Sequence, residues 1–177
     1  TDLTGIQFRR LNTSKGPAVR SSRAQCDKLR YSRSMQQIIG AQAGLSVREG
    51  EVKSLRWSAN RITGVVLPGG EELSAKTVVI TSGTFMSALM YTGFEKTEGG
   101  RVGDKASLGL SGSLAELGFR LRRLKTGTPP RLHRASIDFS VCEEQAGDNP
   151  PFAFSFYGAP GQFPVLPQVP CHISYTN

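Results

Sequence analysis

The sequence lacks long apolar runs and has few cysteines. A membrane-spanning helix needs about 20 consecutive apolar residues, and no stretch of these 177 residues approaches that length. The first residues lack the basic and apolar regions of a secretory signal. Cys26, Cys142 and Cys171 stand singly, which disfavours a zinc site, a redox pair or a disulfide framework. We therefore expect a soluble cytoplasmic protein with reduced thiols and no membrane contact.

Familiar catalytic and nucleotide-binding patterns are also missing. No stretch matches G-x-G-x-x-G after a strand, so the turn that grips a dinucleotide pyrophosphate is absent. Residues 99–104 look like a phosphate loop, but neither a preceding strand nor a Lys-Ser/Thr ending accompanies them. His133 and His172 are isolated, and Glu143 and Glu144 lie in a predicted loop. The residues alone predict no catalytic or metal-binding side chain.

Positive charge is plentiful and is concentrated in two segments. The chain has 22 Lys and Arg against 14 Asp and Glu, a formal net charge of +8. Residues 1–34 carry eight basic and two acidic side chains, and residues 120–134 carry six basic side chains and no acidic one. Clustered Lys and Arg are typical of a polyanion-binding surface, because each neutralised phosphate releases counterions. Solvated basic surfaces that keep the protein soluble are the alternative.

The first 44 residues are predicted to form a loop followed by one helix. Residues 1–19 show no sustained hydrophobic period. Ser21 or Ser22 can cap a helix that ends at Gly40 and Gly44. Three arginines of this helix would stand off its apolar stripe and form a basic face. They are Arg23, Arg30 and Arg33.

From residue 45 the hydrophobic period changes to two, which predicts strands. The expected antiparallel meander consists of residues 45–50, 52–57, 62–67 and a short piece around Leu73. A β-branched run at 77–80 predicts a strand buried on both faces. That run leads into Gly83 and Thr84, and α/β proteins let the backbone approach a ligand at such a strand end. The pattern favours an α/β fold.

A composition shift separates the two halves of the chain. Four glycines between residues 86 and 104 indicate a domain boundary near residue 90, with domains at 1–90 and 91–177.

The first residue is not Met, and the last predicted strand ends without a turn or a polar tail. We therefore expect a piece of a longer chain.

The second half is predicted to contain one helix and two strands among irregular segments. The helix occupies about 107–117 and stops at Gly118. The remaining predictions are a strand at 119–124, a rigid cationic turn at 125–131, a surface loop at 138–150 and the start of a strand at 171–175.

Several segments spread over the chain have a familiar combination of residues. They include Gly5-Ile6-Gln7-Phe8-Arg9, Ser14-Lys15-Gly16-Pro17-Ala18-Val19, Gly83-Thr84-Phe85, Arg123-Leu124-Lys125-Thr126-Gly127-Thr128-Pro129-Pro130-Arg131, Ile137-Asp138-Phe139-Ser140 and Gln168-Val169-Pro170-Cys171. Together they resemble the MnmG (GidA) family, the flavoprotein subunit of the tRNA uridine 5-carboxymethylaminomethyl modification enzyme. The resemblance runs in register over nearly all of the chain.

The resemblance implies a fold, a reaction and a set of partners. The fold would be part of a glutathione-reductase-like FAD-binding domain followed by part of an inserted α+β domain. Members of the family are several times longer, bind FAD and act with the GTPase MnmE on the wobble uridine of certain tRNAs. NADH is implied as reductant, methylenetetrahydrofolate as one-carbon donor, and a homodimer for the full-length protein. The chain would be an interior slice, and we expect it to be inactive by itself.

The resemblance assigns cofactor-binding roles at four positions. Val52 and Ser107 match two positions that contact FAD, although the residues alone suggest a strand core residue and a helix-start serine. Gly83 and Thr84 match the strand-end turn that faces the cofactor. The catalytic cysteines of the family match no position of this chain.

The basic segment 120–134 falls in the family's inserted domain, which is implicated in nicotinamide and tRNA handling. We predict that Arg122, Arg123, Lys125 and Arg131 contribute to a tRNA-phosphate surface. Two other functions stay open: a folate- and FAD-dependent tRNA uracil-5-methyltransferase, and an RNA-binding module without catalysis. The Lys-Thr-Gly-Thr-Pro-Pro-Arg and Ile-Asp-Phe-Ser segments favour the wobble-uridine enzyme over the methyltransferase.

Overall fold

The computed structural model describes residues 1–127, 131–156 and 162–175. Residues 128–130, in the middle of the predicted cationic turn, lie outside the described residues. Within this described part, no helix is long and apolar enough to cross a membrane.

The chain divides into two compact units. Unit 1 comprises residues 1–47 together with the described residues from 131 onward, and unit 2 comprises residues 48–127. The predicted boundary near residue 90 falls inside unit 2. The two units therefore divide the chain differently from the predicted domains at 1–90 and 91–177, and that domain assignment stays a prediction.

Unit 1 is built on two antiparallel strands, β1 (Gly5–Leu11) and β2 (Ser21–Cys26). The prediction of a loop over residues 1–19 is wrong for β1, and the prediction of a helix start at Ser21 or Ser22 is wrong for β2. Short 3-10 turns, Thr13–Lys15 and Pro17–Val19, connect the strands.

Long-range hydrogen bonds explain why β1 was not visible in the local pattern. The carbonyl of Ile6 accepts from the N–H of Val169 at 2.7 Å, and the carbonyl of Phe8 accepts from the N–H of Asp148 at 2.8 Å. Strand formation depends on such cross-strand neighbours more than on intrinsic preference. These neighbours lie far along the chain, beyond the reach of a periodicity argument.

Helix α1 (Lys28–Gly40) follows β2 and ends at the predicted Gly40. Its cap is Asp27, whose carboxylate accepts hydrogen bonds from the N–H groups of Leu29 and Arg30, both at 3.0 Å. The two serines predicted as caps cannot serve, because both belong to β2. Arg23 also lies in β2 and is therefore not part of a basic helix face.

Unit 1 contains a second antiparallel pair and a small aromatic core. Strand β8 (Glu143–Gln145) pairs with β9 (Cys171–Ile173), so the loop predicted for 138–150 contains a strand, and the strand predicted from Cys171 is confirmed. The ring of Phe8, 2% exposed, lies 5.0 Å from the Phe163 ring and 6.4 Å from the Phe154 ring. Burial of this aromatic surface fixes β1 against the distant segment.

Unit 2 contains the predicted meander. Strands β3 (Ser54–Ser58), β4 (Arg61–Val66) and β5 (Glu72–Ser74) pair antiparallel in that order. Ala59 and Asn60 form the tight turn between β3 and β4 with φ of 46° and 59°, the left-handed conformation that suits a two-residue hairpin. The strand predicted for 45–50 does not form.

The rest of unit 2 is a hairpin and a short helix. Strands β6 (Leu89–Thr92) and β7 (Glu95–Glu98) pair antiparallel. Helix α2 (Leu110–Glu116) lies within the predicted span. It ends as predicted at Gly118, where the N–H of Gly118 donates to Ala115 and the N–H of Phe119 donates to Leu114. This is the Schellman arrangement, which a left-handed glycine permits.

Two predicted strands of unit 2 are absent, at residues 77–80 and 119–124. A strand buried on both faces needs neighbouring strands and covering layers, but Val79 is 85% exposed. No strand in the described part of the chain pairs with either segment. The mixed content of helix and sheet agrees with the predicted α/β class.

Candidate cofactor-binding site

Unit 2 brings the segment around Val52 next to Ser107. The side chain of Glu51 accepts hydrogen bonds from the Ser107 hydroxyl at 3.4 Å and from the N–H of Leu108 at 3.3 Å. The N–H of Lys53 donates to the Val66 carbonyl of β4 at 2.9 Å, which ties Val52 to the start of the meander. Glu51 and Ser107 are 56 positions apart in sequence and adjacent in the fold.

A glycine sets the distance between these two segments. Gly109 has φ of 102°, and a Cβ placed on it would lie 2.6 Å from the Lys53 carbonyl oxygen. L-residues with a side chain rarely adopt this conformation, and no side chain fits that gap. Gly109 therefore allows the backbone after Ser107 to pack directly on the backbone after Val52.

The turn at Gly83 and Thr84 leads into a third segment, which is hydrogen-bonded to Ser107. Gly83 has φ of 62°. Beyond the turn, the carbonyl of Phe85 accepts from the N–H of Ser107 at 2.9 Å, and the N–H of Ser87 donates to the carbonyl of Ser107 at 2.8 Å. These bonds form a short parallel bridge. The four predicted cofactor positions thus lie on three segments that meet at Ser107.

Helix α2 holds this region against the meander. The N–H of Leu55 in β3 donates to the hydroxyl of Ser113 at 2.9 Å, and Ser113 is 4% exposed. A buried backbone donor needs such a partner. The bond fixes the helix that directly follows Ser107 and Gly109.

The three segments offer groups that can bind a ligand. They carry backbone amides, serine and threonine hydroxyls and apolar side chains such as those of Phe85 and Leu108, with Glu51 and Lys53 as the ionisable side chains. The Ser107 hydroxyl and the Glu51 carboxylate form a hydroxyl–carboxylate pair, but their hydrogen bond is long, at 3.4 Å, and the same Glu51 oxygen also accepts from the N–H of Leu108.

The four predicted tRNA contacts are divided between the two units of the structure. Arg122, Arg123 and Lys125 belong to unit 2, whereas Arg131 belongs to unit 1. All four are exposed, and none forms an ion pair with another described residue. Arg123 differs from the others, because its Nη1 donates to the Ser87 carbonyl at 3.0 Å.

Much of the first basic segment serves the fold of unit 1. Arg9 donates to the Ala146 carbonyl at 2.7 Å. The guanidinium of Arg10 lies 4.0 Å above the centre of the Phe152 ring, a cation–π contact. The segment is therefore not simply a free basic surface, and these contacts hold β1 against residues 146–152.

The glycine-rich stretch 99–104 closes on itself. Arg101 Nε donates to the Asp104 carboxylate at 2.7 Å, and the backbone of the two residues forms an isolated bridge. The arginine is thus already paired with an acid of its own turn. This arrangement fits a tight turn and gives no support to a phosphate loop.

A buried polar cluster in unit 1 was not predicted from the sequence. Gln7, 1% exposed, donates to the carbonyls of Gln145 and Val169, and its carboxamide oxygen accepts from Arg23 and from the Cys171 thiol. Every hydrogen-bonding group of the Gln7 side chain is occupied. The only signal in the sequence was that the segments around Gln7 and Cys171 both carry the family resemblance.

The class that the helices and strands of the described residues fit is an α/β protein. Comparisons with known proteins narrow that class. A family model described as glucose inhibited division protein A matches residues 1–177. The chain belongs to this family, also called GidA or MnmG.

Individual relatives agree with the family match. The chain is 51% identical over 176 residues to the tRNA uridine 5-carboxymethylaminomethyl modification enzyme MnmG of Pelobacter propionicus, covering 99% of this chain and 28% of the relative. It is 50% identical to the enzyme of the same name from Chlamydia muridarum, covering 100% of this chain and 29% of the relative.

Solved structures give the same result. The chain superimposes on Aquifex aeolicus GidA in its form II crystal with a TM-score of 0.80 and 42% identity, covering 97% of this chain and 29% of that one. For the form I crystal the TM-score is 0.78 at 42% identity, covering 96% of this chain and 29% of that one. The chain therefore spans less than a third of the length of the relatives it matches.

Proposed function

We propose that the protein containing this chain is an FAD-dependent enzyme that modifies the wobble uridine of certain tRNAs, adding a carboxymethylaminomethyl or aminomethyl group at C5. The names of the relatives support the tRNA uridine modification. One structural observation supports the flavin: residues next to the positions expected to contact FAD are hydrogen-bonded to Ser107, although they lie far apart in sequence.

In this proposal FAD lies along the three segments of the candidate site. FAD supplies the redox chemistry when it is bound, and the chain supplies orientation. Val52, through its backbone, and Ser107 would contact FAD, and the turn at Gly83 and Thr84 would let the cofactor approach the backbone closely. The backbone contact at Gly109 keeps these elements in register.

The remaining reactants and partners come from the family resemblance. NADH is the proposed reductant, methylenetetrahydrofolate the one-carbon donor, and MnmE the GTPase partner of a homodimeric protein. The catalytic cysteines of the family match no residue of this chain. We therefore propose that these 177 residues do not catalyse the reaction alone.

The enzyme activity is tested with the intact protein and its GTPase partner. With FAD, NADH, methylenetetrahydrofolate, GTP and glycine or ammonium, an unmodified tRNA should gain the C5 group at its wobble uridine, as detected by mass spectrometry of its nucleosides. Formation of 5-methyluridine at another position instead would favour the methyltransferase. RNA binding with no change in nucleoside mass and no bound flavin would favour a non-catalytic module.

For the tRNA we propose phosphate-binding residues on each unit: Arg122, Arg123 and Lys125 on the surface of unit 2, and Arg131 on the surface of unit 1. The support is the exposure of these cations and the absence of an acidic partner among the described residues. A charge reversal at Arg122 and Lys125 should weaken tRNA binding. It should also lower the slope of log affinity against log salt by roughly 0.7–0.9 for each phosphate that the protein no longer neutralises. An unchanged slope would show that these two residues do not bind phosphate.

A further inference from the structure

We infer that Arg123 is a positioning residue of the candidate cofactor-binding site, where it holds Ser87 in place. The inference rests on the proposed function, because FAD is taken as the ligand of that site. It gives Arg123 a second role, beside the tRNA contact proposed for it and for its neighbours Arg122 and Lys125.

Ser87 has an unusual backbone conformation. Its φ is 46°, in the left-handed region that residues other than glycine rarely occupy. Such a conformation costs free energy and persists only where surrounding contacts impose it. Strained residues of this kind concentrate at binding and catalytic sites.

Three hydrogen bonds from three different parts of unit 2 hold Ser87. Its N–H donates to the Ser107 carbonyl at 2.8 Å. Its hydroxyl shares a hydrogen bond of 2.8 Å with the hydroxyl of Ser111 in α2. Its carbonyl accepts from Arg123 Nη1 at 3.0 Å. The Arg123 bond is the one with a charged donor, and charged donors make the stronger hydrogen bonds.

The path of the chain explains why Arg123 can reach Ser87. The Schellman turn at Gly118 ends α2 and fixes the direction in which the chain leaves the helix. Residues 119–127 then run without regular structure, and the Arg123 side chain returns to the turn before β6. The side chains of Arg122 and Lys125 make no hydrogen bond to any described residue, so they offer a matched comparison on the same segment.

The consequence for the ligand follows from the position of Ser87. It lies three residues after Thr84 and bonds directly to Ser107, so two of the three segments of the site depend on its conformation. Without the Arg123 bond, Ser87 can relax to an unstrained conformation, and the bridge to Ser107 loosens. FAD binding then has to restore that geometry, which lowers its affinity.

The test uses the intact protein with the variants R123M, R123K and R122M. R123M keeps the length of the side chain and removes its donors, and R122M is the matched control. Titration of the apoprotein with FAD should show affinity for R123M weaker by on the order of fivefold to tenfold, together with an altered visible spectrum of the bound flavin. R123K should recover part of the loss because its ammonium can donate, and R122M should bind FAD like the unmodified protein.

Equal FAD affinity and identical flavin spectra for R123M and R122M would overturn the inference. If the unmodified protein binds no FAD, the proposed function fails, and amide hydrogen exchange at Ser87 and Ser107 decides the inference instead. Faster exchange in R123M than in R122M would support it, and equal exchange would overturn it. If R123M does not fold, R123K is compared with R122K, and equal FAD affinities overturn the inference.

Discussion

Replacing Gly109 with alanine should disrupt the junction between the two segments that carry Val52 and Ser107. The new Cβ would lie 2.6 Å from the Lys53 carbonyl oxygen, closer than real Cβ atoms approach other atoms. The backbone φ of 102° adds a conformational penalty of roughly 1–3 kcal/mol. Relieving the clash adds about 1–3 kcal/mol, as for other overpacked sites. We expect a loss of about 2–6 kcal/mol in the free energy of unfolding of the region, with weaker FAD binding.

Gly112 provides the control for this prediction. It lies in α2 three residues away, and a Cβ there meets no atom within 4 Å. G112A should leave FAD binding unchanged and stabilise the helix by up to about 1 kcal/mol. Urea unfolding and FAD titration of the intact protein compare the two variants. If G109A and G112A unfold at the same urea concentration and bind FAD equally, the close backbone contact at Gly109 is not needed for the site.

Three further predictions concern buried or capping groups. Gln7→Leu should destabilise unit 1 by about 3 kcal/mol or more, since it leaves several partners of Gln7 without hydrogen bonds. A urea unfolding midpoint equal to that of the unmodified protein would contradict this prediction. Ser113→Ala should cost roughly 1–3 kcal/mol in unfolding free energy, because the N–H of Leu55 is left without its buried acceptor; unchanged amide exchange at Leu55 would refute it. The pKa of Asp138 should lie below its usual range, because its carboxylate accepts hydrogen bonds from the hydroxyl and the N–H of Ser140. The contribution of Asp138 to stability is therefore fully present above the usual aspartate pKa, and it is lost as the pH falls through the lowered pKa. Carbon NMR of labelled aspartate should show a higher Asp138 pKa in the variant Ser140→Ala. An equal pKa in both proteins would show that the hydrogen bond from the Ser140 hydroxyl does not lower the Asp138 pKa.

The elements that the sequence predicted correctly are those with local causes. The meander of β3, β4 and β5 follows from period-two runs joined by short turns, and the stop of α2 follows from one glycine at Gly118. Strand β1 depends instead on bonds to residues such as Asp148 and Val169. No local period contains that information.

The candidate site was predictable in part. The family resemblance named Val52, Gly83, Thr84 and Ser107, but their convergence depends on contacts across unit 2. No role was predicted for Ser87, because the sequence pattern does not indicate that a serine adopts a left-handed backbone conformation.

The most direct test of the account is hydrogen–deuterium exchange of the intact protein with and without FAD. If Val52, the Gly83–Thr84 turn and Ser107 line the cofactor, amides in segments 51–53, 83–87 and 107–111 should become protected together when FAD binds. The β6–β7 hairpin of the same unit serves as an internal reference and should exchange at an unchanged rate. Saturating FAD that left all three segments as exposed as before would contradict the assignment of this site to the flavin.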